Sequence, residues 1–202
     1  MLAKEMFLKI NKTNLIIFLA ILFFFCVSKA NDDNENLNVA NYFLSLENFS
    51  AQFIQTDGVS LEEGSLYIGE NRLRVEYNKP SKILLIIDEN KAMYHNYDLE
   101  ETEFFNPENT SAWIFLEIFK NEDFFNDMNK IKNNNTITFF KKITVSDVVY
   151  NLEIYFEDLP LVLRKIKLKY NDEHLEISLS NHNFNAVFNK RFFKMINPEL
   201  LN

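Results

Sequence analysis

Phe49-Ser50-Ala51-Gln52-Phe53-Ile54-Gln55 is where the chain changes period. Phe49, Ala51 and Phe53 alternate with Ser50 and Gln52, as in a strand with one buried face. The residues just before it behave differently. Leu37 to Leu46 carries Leu37, Tyr42, Phe43, Leu44 and Leu46 with no Gly or Pro between them, and predicts a helix. Beyond residue 55, Asp57-Gly58 marks a turn, Gly64 to Gly69 a second strand and Arg72 to Tyr77 a third. In the third, Leu73, Val75 and Tyr77 share one face and Arg72, Arg74 and Glu76 the other, until Lys79-Pro80 ends the ladder. Ile83 to Asp88 is almost wholly apolar, which predicts cover on both faces. Glu89-Asn90 turns the chain into Ala92 to Tyr97, and Thr102 to Phe105 closes the run. Short spacing and tight turns predict an antiparallel meander.

The middle of the chain departs from this pattern. Pro107 to Ser111 offers helix-start chemistry, and Ala112 to Phe119 is nearly all apolar. Trp113, Ile114, Phe115, Leu116, Ile118 and Phe119 cover most of that helix's circumference, whereas a surface helix needs one apolar stripe. The helix must be buried on two sides or cover an apolar cavity. Phe124, Phe125, Met128 and Ile131 recur at helical spacing, and Lys132 to Asn135 reads as a polar loop. Four alternating segments follow: Thr136 to Ile143, Val148 to Phe156, Leu161 to Tyr170 and Leu175 to Leu179. Ile166 and Leu168 lie opposite Lys165, Lys167 and Lys169, and Tyr170-Asn171-Asp172-Glu173 forms a hairpin turn. A short aromatic piece, Phe188 to Ile196, precedes Pro198.

The N-terminal segment reads as an export signal. Lys4, Lys9 and Lys12 precede an apolar run, Leu15 to Val27, that is shorter than the about 20 residues a spanning helix needs. Val27-Ser28-Lys29-Ala30 suits cleavage after Ala30, giving a signal peptide over residues 1–30 and one domain over residues 31–202. An uncleaved anchor is the alternative, disfavoured by the short run. Phe23-Phe24-Phe25 before Cys26 does not suit lipoprotein processing. The full chain carries −8; the leader takes away four lysines and Glu5, so the mature domain carries −11. That acidity argues against nucleic acid as a partner. The only cysteine, Cys26, leaves with the leader, which suits an oxidising compartment.

Catalytic signatures are missing. The three glycines, Gly58, Gly64 and Gly69, form no phosphate loop, and there is no G-x-S-x-G elbow. His95, His174 and His182 have no metal-ligand spacing, and the last two read as surface residues. No cofactor and no enzymatic activity are expected. The notable feature is apolar content: of 21 phenylalanines, sixteen lie beyond the leader. They make either a large core or a lipid-facing interior.

A family resemblance favours the second. Phe49 to Gln55 fits the F-x-A-x-F-x-Q strand that opens the fold of the outer-membrane lipoprotein carrier proteins, the LolA family. Gly64-Ser65-Leu66-Tyr67-Ile68, Arg72 to Pro80, Tyr97-Asp98-Leu99-Glu100, Thr110 to Leu116 and Phe193 to Pro198 resemble later motifs of that family in the same order. Two positions depart from the pattern. Glu70-Asn71 stands where the family has an Arg-Pro pair whose arginine latches the lid, and Ser111 replaces the lid proline.

The resemblance implies a mainly β fold with α: an incomplete antiparallel β-barrel, or half-barrel, covered by lid helices. It implies a lipid-binding cavity walled by Leu73 and Val75, with Phe49 and Phe53 as further candidates, and a lid carrying Trp113, Ile114, Phe115 and Leu116. It implies a monomeric periplasmic carrier with lipid-modified proteins as cargo. The other implied partners are an inner-membrane ABC-type lipoprotein-releasing transporter and, as a further candidate, an outer-membrane receptor. The alternative is a related half-barrel that binds lipid or an acyl group as a sensor or maintenance protein.

Overall fold

The computed structural model describes residues 38–121 and 123–201. The signal peptide expected over residues 1–30 and the start of the first helix, Leu37, lie outside them. The compact unit Val39–Asn202 carries the whole sheet. Residues 38–44 form helix α1, and the change of period at Phe49 opens the first strand. Six strands follow one another: β1 (Phe49–Thr56), β2 (Leu61–Gly69), β3 (Arg72–Lys79), β4 (Ile83–Ile87), β5 (Ala92–Asn96) and β6 (Glu101–Phe105). Helix α2 (Ala112–Lys120) interrupts them. Five more strands complete the fold: β7 (Asn129–Asn133), β8 (Thr136–Val145), β9 (Val148–Glu157), β10 (Val162–Tyr170) and β11 (Glu173–Asn183).

All eleven strands join one antiparallel sheet in the order β6-β5-β4-β3-β2-β1-β11-β10-β9-β8-β7. The two meanders meet at the β1–β11 pairing. The outermost strands, β6 and β7, do not pair, so the sheet stays open rather than closing into a barrel. The fold is therefore mainly β with a few helices.

Alternation puts Phe49, Ala51, Phe53, Leu66, Leu73, Ile154, Ile166 and Leu179 in one inner core with α1 and α2. One part of that core is filled by rings. Phe43 of α1 stacks on Phe125 at 4.9 Å and meets Phe119 and Phe156 edge-on, and Phe139 meets both Phe125 and Phe156. Such offset and edge-on pairs exceed their area burial by about 0.5–1.5 kcal/mol each. A register shift in β10 between Leu163 and Lys165 breaks the ladder to β9. The buried Leu163 N–H donates instead to the Tyr42 hydroxyl at 3.1 Å, tying α1 to the sheet.

The outer face of β2–β5 is covered too. Leu84, Ile86 and Met93 are buried there with Met195 against them, so the apolar run of β4 is explained by two covered faces. The C-terminal segment lies across this surface. Arg72 donates to the Phe193 carbonyl at 3.2 Å and Arg74 to that of Phe192, while the Arg74 guanidinium sits 4.3 Å above the Phe192 ring.

One expectation is corrected. Residues 123–127 form turns rather than a helix, and Ile131 lies on strand β7, about half exposed. Only Phe124, Phe125 and Met128 of that spacing are buried. The polar loop expected over 132–135 shrinks to a turn in which Asn134 adopts φ 48°. An asparagine accepts that left-handed geometry, and pairing with β8 outweighs a helix that would have had no apolar stripe beyond Met128.

Candidate functional site

Between the inner face and α2 the core leaves a hollow. Its volume is about 200 Å³, larger than the ~150 Å³ apolar cavity known to accept a benzene ring. Phe53, Leu66, Leu73, Val75, Leu85 and Ile87 wall one side, Ile166, Leu175, Ile177 and Leu179 the other, and Ser111, Ala112, Phe115 and Phe119 of the α2 segment cover it. The two walls come from the two meanders, and the β1–β11 seam runs between them.

Three strands set the shape of the hollow. In register, Phe53 of β1, Gly64 of β2 and Tyr77 of β3 form one row. A Cβ on Gly64 would lie 2.5 Å from the Phe53 ring and 2.3 Å from the Glu76 carbonyl oxygen, so the missing side chain is what seats Phe53. The Tyr77 ring meets Phe53 edge-on at 5.1 Å. Tyr77 donates its hydroxyl to Gln55 Oε1 at 3.1 Å, and Gln55 Nε2 donates to Glu62. Burial, reinforced by the Glu62 charge, pushes the Tyr77 phenol up to about 12.

The structure separates the residues expected at the site. Phe53, Leu73 and Val75 line the hollow together, and Phe115 faces it from the helix. Phe49 is buried elsewhere, its ring 5.3 Å from Phe184 and 5.6 Å from His182. Ile114 and Leu116 are packed into the core. Trp113 borders a separate polar cleft with Glu89, Glu108 and Glu117. Gln55, Tyr77, Ile166, Ile177 and Leu179 also line the cavity, beyond the residues the sequence pointed to; extending the period-two faces of β1, β3, β10 and β11 finds them. His182 is also not a plain surface residue. It is half-buried and bonds the Leu163 carbonyl at 2.8 Å through Nε2.

Glu70 and Asn71 both have positive φ, 50° and 57°, and make the two-residue hairpin turn between the Gly69–Arg72 pair. A proline, held near φ −65°, has no place in such a turn. Helix α2 is held by other contacts. Thr110 Oγ1 donates to the Pro107 carbonyl at 2.8 Å and accepts from the Ala112 N–H at 3.3 Å. Ser146 Oγ donates to the Asn109 carbonyl at 3.3 Å, and Lys120 pairs with Glu89 at 3.6 Å. Among the described residues no cluster of His, Cys, Asp or Glu could hold a metal, and no helix is long and apolar enough to cross a membrane.

Residues 45–196 match the family model described as outer membrane lipoprotein carrier protein LolA. No curated protein matches the chain in sequence. Among solved structures, an uncharacterized conserved protein from Thermus thermophilus superposes with TM-score 0.53 at 10% identity, covering 81% of this chain and 93% of its own. A DUF1329 family protein from Desulfovibrio piger gives TM-score 0.47 at 7% identity, with 80% and 96% covered. MucB in its complex with MucA(peri) gives 0.46 at 10% identity, with 80% and 58% covered. At these identities the first of them speaks for the fold alone.

Proposed function

Because the chain belongs to the family of outer membrane lipoprotein carrier proteins, LolA, we propose that it carries lipoproteins by their acyl chains across the periplasm. Its partners on this reading are an inner-membrane ABC-type transporter that releases the cargo and an acceptor at the outer membrane. The observation that carries the proposal is the helix-covered apolar hollow walled by Phe53, Leu73, Val75, Ile166 and Leu179.

Magnitudes favour partial burial of the cargo. An acyl chain gains about 0.8 kcal/mol per buried CH₂, so one ~16-carbon chain would yield roughly 12 kcal/mol and several would pass the ceiling near −20 kcal/mol for non-covalent binding. A carrier must release what it holds. A covered hollow of about 200 Å³ takes only part of such a chain, and widening it by moving α2 costs packing energy that offsets the gain.

The lack of the family's Arg-Pro pair at Glu70-Asn71 favours a second reading, a half-barrel that senses lipid or an acyl group and does not ferry it. Mass spectrometry of protein purified from periplasm separates the two. Co-purifying triacylated lipoproteins are the expected result. Phospholipid alone would favour the sensor, and an empty protein would count against both.

A further inference from the structure

The sheet wall of the cavity has a polar corner, and its composition is selective. Along β1 the inward series Phe49, Ala51, Phe53 ends at Gln55. Along β3 the series Leu73, Val75 ends at Tyr77. These two ends meet: the Tyr77 hydroxyl donates to Gln55 Oε1 at 3.1 Å. Glu62 stands opposite Gln55 in the register and accepts one amide hydrogen. The acceptor on one side and the donor on the other fix the amide's orientation. A polar side chain at an inward position of an otherwise apolar wall is costly unless it serves a purpose.

The charge balance narrows what that purpose is. No lysine, arginine or histidine is among the described residues that line the cavity. A carboxylate or phosphate brought to this corner would face the Glu62 carboxylate just behind Gln55, with no counter-ion among the lining residues. An uncharged carbonyl faces no such penalty. Gln55 has a second N–H to offer, and the Tyr77 phenol, pushed up to about 12 by its burial and by the Glu62 charge, stays protonated and keeps its one hydrogen on Gln55 Oε1, so that the amide N–H is turned to the ligand.

We propose that Gln55, Tyr77 and Glu62 form a specificity corner that accepts acyl chains whose first polar group is a neutral ester or amide and rejects free fatty acids. The proposal rests on the acyl-carrier reading and deepens it. Cargo is oriented with its tail along Leu73, Ile87 and Phe119 and its carbonyl at Gln55. A lipid attached through neutral linkages is then held, while a fatty acid freed in the same compartment does not compete for the site.

The test compares monolaurin with laurate at neutral pH, each displacing the fluorescent probe N-phenylnaphthylamine from the full mature domain. Wild-type protein should bind monolaurin about tenfold or more tighter than laurate, the scale expected for an uncompensated charge in an apolar site. Glu62→Gln should raise laurate affinity more than monolaurin affinity, so that the ratio between them falls. Tyr77→Phe, which removes the bond that orients the Gln55 amide, should weaken monolaurin more than laurate, with near-ultraviolet circular dichroism showing both variants folded. Equal binding of the two ligands by wild type, or an unchanged ratio in Glu62→Gln, would overturn the corner while leaving the carrier intact. If neither ligand nor the probe binds, the acyl-carrier reading fails first, and the corner with it.

Discussion

At the scale of single residues, neighbours on one helix have opposite roles. Phe115 and Leu116 are adjacent and equally apolar, yet Phe115 is half-buried over the cavity and Leu116 is sealed in the core. A charge at Phe115 can reach water or the open hollow, so Phe115→Glu should keep the fold. It removes apolar cover from the cavity and adds a carboxylate beside the ligand, so acyl-probe affinity should fall by at least about tenfold. Circular dichroism together with probe titration checks this; an unfolded variant, or one that binds normally, would remove Phe115 from the lid's working face. The same distinction explains why Ile114, Leu116 and Trp113 are not interchangeable with it.

For helix α2 as an element, packing outweighs polar contacts. Ile114, Leu116, Ile118 and Phe119 are all buried. The Lys120–Glu89 pair at its C-terminal end has a Glu89 side chain 69% exposed, and such pairs contribute roughly 0–1 kcal/mol. Leu116→Ala should therefore cost about 2–5 kcal/mol in urea unfolding. Lys120→Ala should cost less than about 1 kcal/mol, with the difference vanishing at high salt. A larger effect for Lys120→Ala would mean that the ion pair, rather than the buried stripe, holds the lid. With packing in charge, lifting all of α2 exposes four buried side chains at about 1.5–3 kcal/mol each. On the proposed carrier reading, an acyl chain then enters most easily through small shifts around Ser111, Ala112 and Phe115, or with a partner protein's help.

The whole molecule should have a stability plateau bounded on both sides by identifiable groups. His182 is held below its ordinary value of 6.5, chiefly by burial, although its bond to the Leu163 carbonyl acts the other way. Its depressed value means that the unfolded chain takes up the proton first, so stability falls as pH drops below 6.5. Glu176 is lowered by hydrogen bonds from Lys165 and Lys167. Glu153 is lowered by its Tyr155 and Lys169 bonds, despite some burial. Both contribute stability that is present above 4.5 and lost as pH falls through their folded values. On the alkaline side, burial pushes Tyr42, Tyr77 and Tyr155 up to about 12 from 10.0. Unfolding lets them ionise, so stability should fall as pH rises above 10. A melting-temperature profile should be flat between those limits. His182→Gln should flatten its first acid step, and an unchanged step would assign that step to another group.

Most of the architecture can be read along the chain. Phe49-Ser50-Ala51-Gln52-Phe53 announces a half-buried strand, the wholly apolar β4 announces two covered faces, and the all-round apolar α2 announces a helix that is buried on two sides or covers a cavity. These readings hold because side-chain period is a local property that burial on one face imprints directly. The region 124–133 misleads because three buried residues in turns can imitate a helix's spacing. Pairing with β8, which that spacing does not register, decides it. Membership of the cavity wall is likewise not local. Leu73 and Ile166 lie on the two meanders and line one cavity, across a seam that exists only because β1 pairs with β11. Whether Phe49 or Phe53, Ile114 or Phe115 faces the hollow depends on where that seam and α2 leave space. Period reveals which face is inward, and three-dimensional packing reveals which inward residues have nothing opposite them.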